Sequence, residues 1–233
     1  MNNILSEKEY QRYIIDQLIK PECGYVEAPA VEFDRLFAMN RKALFDFLEA
    51  TQPEKMEALR KIYKGTMEDT LVAFINQQET RGSGSRLDVL KHGVELANIH
   101  LDLMYTKPAT TFNQELTALY HKNIFTVSEE VWASDSERVD LVIFLNGLAI
   151  ITLELKCNAA GQSYQDAIYQ YRMERSPKDR LFLWKAGALV NFAMDLEQVY
   201  MCTRLSGSST FFLPFNMGCG EGIQVGAGNP ILK

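Results

Sequence analysis

The chain has 233 residues, of which 47% are hydrophobic and 23% charged, a balance typical of one globular domain that excludes a wholly disordered protein. Its 24 basic and 30 acidic residues give a net charge of −6, which excludes a generally basic nucleic-acid coat protein but allows a local basic groove. The four cysteines have no C-x-x-C spacing and the three histidines are scattered, so the sequence predicts free thiols and no histidine-rich metal site.

The first 80 residues show mainly helical patterns, with apolar residues three and four positions apart. The predicted helices span residues 6–20, 33–63 with an interruption at Gln52-Pro53, and 66–79. The Gly- and Ser-rich run at 81–85 is short, so it indicates a loop rather than a domain linker. We therefore expect residues 34–80 to form a mainly helical subregion.

After residue 87 the pattern changes to alternating and continuous apolar runs, which are typical of strands. The predicted strands span residues 97–105, 125–131, 139–145, 148–156, 181–184, 188–194, 199–205 and 210–215, and the predicted helices span 113–123 and 162–175. Together these elements predict an α/β fold, a central mixed β-sheet flanked by helices 6–20 and 162–175. The Gly-rich tail 216–233 contains no predicted element.

The strongest local pattern is a predicted hairpin in the second half of the chain. Residues 139–145 and 148–156 are nearly continuous apolar runs, and Asn146-Gly147 separates them. An Asn-Gly pair between two such runs is the strongest short-range signal for a hairpin turn. The continuous apolar character predicts that both strands are buried on both faces of the sheet.

Three charged residues interrupt this hairpin close to one end. Asp140 is near the start of the first strand, whereas Glu154 and Lys156 are near the end of the second. Residues i and i+2 of a strand point to the same face, so Glu154 and Lys156 project together. Because the turn places the start of the first strand beside the end of the second, Asp140 is predicted to lie within reach of both.

Buried charges are costly unless they pair with each other or bind a metal ion. One interpretation is an ordinary ion pair between Lys156 and one of the acids. The other is a site for metal-assisted phosphodiester hydrolysis, in which two carboxylates and a main-chain carbonyl hold Mg²⁺, an ion that prefers oxygen ligands. Lys156 would then orient the attacking water or stabilise the scissile phosphate. The clustering of all three charges at one end of the hairpin favours the metal site.

These residues also resemble a known signature. VDLVIFLNGLAIITLELK at 139–156 is similar to the Asp…Glu-x-Lys motif of the PD-(D/E)xK nucleases, with Val139 in place of the Pro that often precedes the Asp. The longer chain resembles the N-terminal nuclease domain of the restriction (R) subunit of type I restriction–modification enzymes. The segments that support this resemblance are EATQP, LDVLKHG, GQ…DAI, VNFAMD, TFFLPFN and GAGNP.

The resemblance implies roles for individual residues. Asp140 and Glu154 would hold Mg²⁺ and, with Lys156, form the catalytic set. It also implies a single endonuclease domain over residues 1–233, with a nuclease core at 87–215.

A Q-x-x-x-Y motif follows the Glu-x-Lys strand in this family and is thought to touch DNA and support the active site. Gln165 and Tyr169 match the literal pattern, whereas an alignment on Ala167 favours Gln170 and puts Glu174 at the Tyr position. We favour Gln170 as the auxiliary, DNA-contacting residue and keep Gln165 and Tyr169 as alternatives.

Some related nucleases also place a glutamate on an N-terminal helix near the metal. Glu7 and Glu9 are candidates, but acidic residues favoured by the helix dipole in a first turn are the simpler interpretation. Candidates for contacts to DNA phosphates are the basic residues that follow the second strand: Arg172, Arg175, Lys178 and Arg180.

The partners and cofactors of the parent protein also follow from the resemblance. The R subunit is a far longer chain with two helicase-like motor domains, and it works on double-stranded DNA with methylation and specificity subunits. The present sequence has no G-x-x-x-x-G-K-[ST] phosphate loop and no apolar run of the ~18 residues that a membrane helix needs. We therefore expect ATP to be bound only by motor domains of the full-length parent, beyond the tail. We expect a cytoplasmic location and no membrane contact.

The leading functional prediction is a Mg²⁺-dependent endonuclease domain that cleaves unmodified foreign DNA after ATP-driven translocation. Two alternatives stay open. One is a non-catalytic module that contacts DNA or docks the motor. The other is a different, structure-specific nuclease with the PD-(D/E)xK signature. A docking module has no need for two acids and a lysine at one sheet end, which favours the enzyme.

Overall fold

The computed structural model describes residues 6–110 and 112–215, so the predicted tail lies outside the described residues. The helices are α1 (Glu7–Leu18), α2 (Arg41–Thr51), α3 (Pro53–Tyr63), α4 (Met67–Thr80), α5 (Arg86–His92), α6 (Gln114–Tyr120) and α7 (Tyr164–Met173). The strands are β1 (Val26–Glu27), β2 (Phe33–Asp34), β3 (Met39–Asn40), β4 (Val94–Leu96), β5 (Ile99–Leu101), β6 (Phe125–Trp132), β7 (Arg138–Leu145), β8 (Leu148–Leu155), β9 (Val190–Met194), β10 (Val199–Cys202) and β11 (Leu213–Pro214). The predicted α/β class is confirmed, with a central mixed sheet flanked by helices.

The central sheet has nine strands and contains both parallel and antiparallel pairs. Its main order is β1-β6-β7-β8-β9-β10-β11, and β2 and β3 join through the pairing of Met39 with Leu148. The β1–β6 and β8–β9 pairs are parallel and the other pairs are antiparallel. Helix α7 forms the crossover between the parallel strands β8 and β9. Because the two strands are parallel, their C-terminal ends lie at the same edge of the sheet.

The β7–β8 hairpin forms as predicted, around the Asn-Gly turn. Asn146 and Gly147 have φ angles of 48° and 81°, the positive values that a tight two-residue turn requires. A Cβ atom at position 147 would lie 2.3 Å from the carbonyl oxygen of Asn40 and 2.6 Å from the amide nitrogen of Leu44, so only glycine fits beneath α2. The register of the two strands is therefore held by the turn and by the packing over it.

Both faces of this hairpin are covered, which explains its continuous apolar sequence. Leu141 and Ile143 in β7 pack on the α1 side with Tyr10 and Ile15, whereas Val142 and Phe144 pack on the α7 side with Ala167 and Tyr171. The alternation along β7 has the two-residue period of a strand. Helices α1 and α7 therefore lie on opposite faces of the sheet, and both lie beside β8.

A third core joins helices α2 to α5, the β4–β5 hairpin and the turn end of the β7–β8 hairpin. Arg86, fully buried at the start of α5, donates to both carboxylate oxygens of Glu79 in α4 and to the carbonyl oxygens of Ala38 and Ala149. These bonds connect the helices to the sheet. The range 34–80 contains three helices and two short strands, and the division of the chain into a subregion and a core stays a prediction.

The strand predicted over 97–105 is too long, because only Ile99–Leu101 form a strand, β5, and residues 97–98 form a turn before it. Ala97 and Asn98 have φ angles of 52° and 61°, which place both in the left-handed region. They form the turn between β4 and β5, which pair with each other as a separate two-stranded sheet. The predicted range therefore contains the short strand β5 and the turn that joins it to β4, which lies before the range.

The predicted strand 181–184 is also wrong, since these residues form consecutive turns. The amide N–H of Phe182 donates to the carbonyl oxygen of Asp179, and that of Ala186 donates to Leu183. Leu181 and Phe182 are nevertheless buried in the core on the α7 side, which accounts for the apolar run. Burial without sheet pairing cannot be distinguished from a short buried strand by periodicity alone.

The boundaries of several other elements differ from the predicted ones. The helix predicted from residue 33 begins only at Arg41, because residues 33–40 form the β2–β3 hairpin, in which Ala38 has a φ of 51°. The strands predicted at 199–205 and 210–215 contain only the shorter β10 and β11, and α5 was missed. In the described part of the chain, no helix is both long and apolar enough to cross a membrane.

Candidate active site

Asp140 lies at the start of β7 and is almost completely buried. The pairing of Leu141 with Leu153 brings it beside the end of β8. Its Oδ2 atom accepts a hydrogen bond of 2.6 Å from the main-chain N–H of Leu155. The carboxylate is therefore held at the sheet edge where the sequence predicted it.

Glu154 is fully buried on the same edge, and its two oxygens have different environments. Oε1 accepts a hydrogen bond of 2.7 Å from Nε of Arg175. Oε2 is buried and has no hydrogen-bond partner among the described residues. A buried carboxylate oxygen without a donor is unusual in a folded protein, so this atom is available to a ligand.

Lys156 follows directly after β8 and is also buried, with 4% of its surface exposed. Its Nζ atom donates to Oε2 of Glu7 at 3.0 Å. Glu7 is in the first turn of α1, so it does occupy the position that the helix dipole favours. The dipole interpretation was incomplete, because Glu7 is also the ion-pair partner of Lys156. Glu9 is exposed instead, and its amide N–H donates to the capping Ser6.

The two acids have raised pKa values because burial disfavours their charged forms. The pKa of Glu154 is raised to about 8 by burial and then by the negative charge of Asp140, and Arg175 opposes this shift. The pKa of Asp140 is raised to about 6 by burial, against the Leu155 hydrogen bond. Lys156 lowers the pKa of both acids, which shows that the three charges interact. The two acids interact, and the nearby basic side chains do not fully compensate their negative charge. Such a pair is suited to binding a metal cation.

The raised pKa values predict that stability falls with increasing pH. Glu154 has a higher pKa in the folded chain, about 8, than its usual value of 4.5, so the folded state binds the extra proton between these values. The contribution of this proton to the free energy of unfolding is fully present below about pH 4.5 and is lost as the pH rises through about 8. Thermal unfolding in chelator should therefore show a fall in melting temperature between pH 5 and pH 8 that is smaller in Glu154→Gln. Equal pH dependence in the two proteins would contradict the raised pKa.

The residues predicted from the Q-x-x-x-Y motif lie on α7 but differ in environment. Gln170 is half-buried, and its Oε1 atom is buried without a hydrogen-bond partner in the described chain. Gln165 and Tyr169 are exposed, and neither contacts the two acids. Tyr171 is the α7 residue that packs onto the sheet beside the site, with its hydroxyl 2.8 Å from Oγ1 of Thr152.

Most of the basic residues predicted to contact DNA phosphates have partners inside the protein. Arg175 is bound to Glu154. Arg180 pairs with Glu79, which is distant in sequence from Asp140 and Glu154. Arg172 donates to the carbonyl oxygen of Thr210 at 3.0 Å. These ion pairs compete with phosphate contacts by Arg175 and Arg180, which stay predictions, since an isolated sequence does not show which cations are already paired.

The donor set suits a hard divalent cation with an incomplete protein shell. The described residues contain no group of three or more His, Cys, Asp or Glu side chains arranged to hold a metal. Asp140 and Glu154 offer carboxylate oxygens, and Oε2 of Glu154 accepts no hydrogen bond from any residue that the structure describes. Mg²⁺ commonly binds through one or two carboxylates and keeps several waters, so these residues fit it.

Comparisons with known proteins identify a family for this chain. Residues 4–210 match the model described as type I restriction enzyme R protein N terminus. That range contains the described helices and the strands from β1 to β10, including every residue discussed at this edge of the sheet. No curated protein matches the chain in a sequence search.

Proposed function

The chain belongs to the family of type I restriction enzyme R protein N-terminal regions, and from this membership we propose that it is a Mg²⁺-dependent DNA endonuclease domain. The observation that supports the proposal most directly is the pair of buried acids, Asp140 and Glu154, with one oxygen at the end of β8 that has no hydrogen-bond partner in the described part of the chain. Maintaining such a pair costs free energy in the metal-free protein. Binding of a cation at this site during DNA cleavage would offset that cost.

The proposed metal ligands are Asp140 and Glu154, with water molecules in the other positions. When bound, Mg²⁺ supplies positive charge for the phosphate and lowers the pKa of a coordinated water. Lys156 is proposed to orient the attacking water or to stabilise the scissile phosphate through its ammonium group. Glu7 accepts from Lys156 Nζ and thereby holds the ammonium at the site.

A docking or DNA-contacting module without catalysis is less consistent with this geometry. Such a surface would present its charged groups to solvent, because phosphate contacts form at exposed cations. Here Asp140, Glu154 and Lys156 are all buried and only Glu7 among their partners is substantially exposed. Buried acids that repel phosphate are suited to a metal-mediated reaction.

The wider activity is proposed from the family. The parent R subunit would act on unmodified double-stranded DNA in the cytoplasm, together with methylation and specificity subunits. ATP would be hydrolysed by motor domains that this sequence does not contain, and the present domain would cut after translocation. The recognised DNA sequence would then be decided by the specificity subunit.

Metal dependence tests this proposal. The R subunit, assembled with its partner subunits, should cleave plasmid DNA with Mg²⁺ or Mn²⁺. Ca²⁺ should bind without supporting cleavage, because it tolerates looser geometry and activates water poorly. The measurement is the conversion of supercoiled plasmid to linear DNA on a gel, with each ion added after chelation.

Two further observations complete this experiment. Excess Ca²⁺ should inhibit the Mg²⁺-supported reaction if both ions compete for Asp140 and Glu154. Cleavage at an undiminished rate in excess chelator would reject a metal mechanism.

A further inference from the structure

We propose that Arg175 is a positioning residue, which holds Glu154 by Oε1 so that only Oε2 is presented to the metal ion. This inference rests on the proposed metal site and adds a residue to it. It predicts that Glu154 binds the ion through a single oxygen. Arg175 itself would not touch the metal or the DNA.

The contacts of Arg175 join the two strands on which the acids lie. Its Nε donates to Glu154 in β8 at 2.7 Å, and its Nη2 donates to the carbonyl oxygen of Arg138 in β7 at 2.8 Å. Arg138 is two residues before Asp140, so one guanidinium bridges the strand positions of both acids. Its side chain is only 5% exposed, which limits exchange of these bonds with water.

The backbone of Arg175 is itself held in place at the end of α7. The amide N–H groups of Glu174 and Arg175 both donate to the carbonyl oxygen of Gln170, at 2.8 and 3.0 Å. The chain therefore turns sharply after the helix with Arg175 fixed against it. The rigid helix, rather than a free loop, delivers the guanidinium to the sheet edge.

An arginine suits this position for a geometric reason. The guanidinium is planar and has donors in a fixed fork, so its bonds to Glu154 and Arg138 set the direction of both. A lysine would supply the same charge from a single nitrogen on a flexible stem. The arrangement therefore distinguishes positioning from simple charge compensation.

Metal affinity tests the inference without any measurement of cleavage. Isothermal titration calorimetry of the 233-residue chain with MnCl₂ should show that Arg175→Gln binds Mn²⁺ about 10- to 100-fold more weakly, as is typical when the partner of a metal ligand is removed. Arg175→Lys should fold and bind about tenfold more weakly, because the fork is lost while the charge remains. Arg12→Gln is the control, because Arg12 pairs with Glu27 at the surface, and its affinity should equal that of the wild type.

A double variant shows whether Arg175 acts through Glu154. Glu154→Gln combined with Arg175→Gln should bind Mn²⁺ no more weakly than Glu154→Gln alone, since the group that Arg175 positions is then already absent. Two independent losses that add would overturn the inference. Circular dichroism checks the fold of each variant, and if Arg175→Gln fails to fold, wild-type affinity in Arg175→Lys would overturn it. Wild-type affinity in Glu154→Gln would instead reject the metal site itself, and this inference with it.

Discussion

Asp140→Ala, Glu154→Ala and Lys156→Ala are each expected to abolish DNA cleavage by the assembled restriction enzyme while ATP hydrolysis continues. The two acids are the proposed metal ligands, and metal stabilisation of the transition state contributes several kcal/mol, or about 1,000-fold in rate. Lys156 is expected to contribute about 10²- to 10⁴-fold, the usual range for a positioned proton-transferring or orienting group. ATP hydrolysis should persist because other domains perform it.

Cleavage and ATP hydrolysis are to be measured on the same preparation, since a misfolded domain would lose its partners as well. Glu95→Ala is the control, because Glu95 is an exposed strand residue in the β4–β5 hairpin. Asp140→Ala should fold as well as the wild type, since its removal relieves repulsion with Glu154. Glu154→Ala leaves the buried Arg175 without its ion-pair partner, so this variant should be less stable, and the continued ATP hydrolysis checks that the subunit is still assembled. Cutting near the wild-type rate in any of the three variants would reject the assigned site.

Arg86→Met is expected to lower the free energy of unfolding by about 3 kcal/mol, the lower end of the usual cost of breaking a buried ion pair by removing one partner, because Glu79 keeps Arg180 as a second partner. Both side chains of the Arg86–Glu79 pair are fully buried. The substitution also leaves the carbonyl oxygens of Ala38 and Ala149 without this donor. Ala149 is in β8 and Ala38 is in the turn that leads into β3, so the loss should weaken the attachment of α4 and α5 to the sheet.

Urea unfolding followed by circular dichroism measures this effect. Arg12→Met is the matched control, because Arg12 forms a bidentate pair with Glu27 at 2.8 and 3.0 Å but its side chain is 41% exposed. Exposed pairs contribute only about 0–1 kcal/mol, so this variant should unfold close to the wild-type midpoint. A similar small change in both variants would show that Arg86 is not a structural link.

Much of the candidate site was predictable because its three central residues are close together in sequence. Asn146-Gly147 specifies a two-residue turn, and the two-residue period of a strand specifies which residues share a face. Asp140 then has to lie beside the end of β8. Local rules of turn geometry and strand period are sufficient for this, since no distant segment is needed to bring Asp140 and Glu154 to one edge.

The groups around these residues were decided only by the tertiary structure. Glu7 is 149 residues from Lys156 along the chain, and the two meet because α1 packs across β8. Arg175 appeared available to DNA in the sequence, but the end of α7 buries it against Glu154.

The same distinction explains the errors in secondary structure. Leu181 and Phe182 are apolar because they fill the core from a loop, and the predicted strand 97–105 contains a turn and the short strand β5. Sequence period reports which side chains are buried, and by itself it determined the hairpin, the fold class and the place of the acids. Which donors and counter-charges surround those acids depends on the packing of α1 and α7, because ion pairs between distant segments have no local sequence pattern.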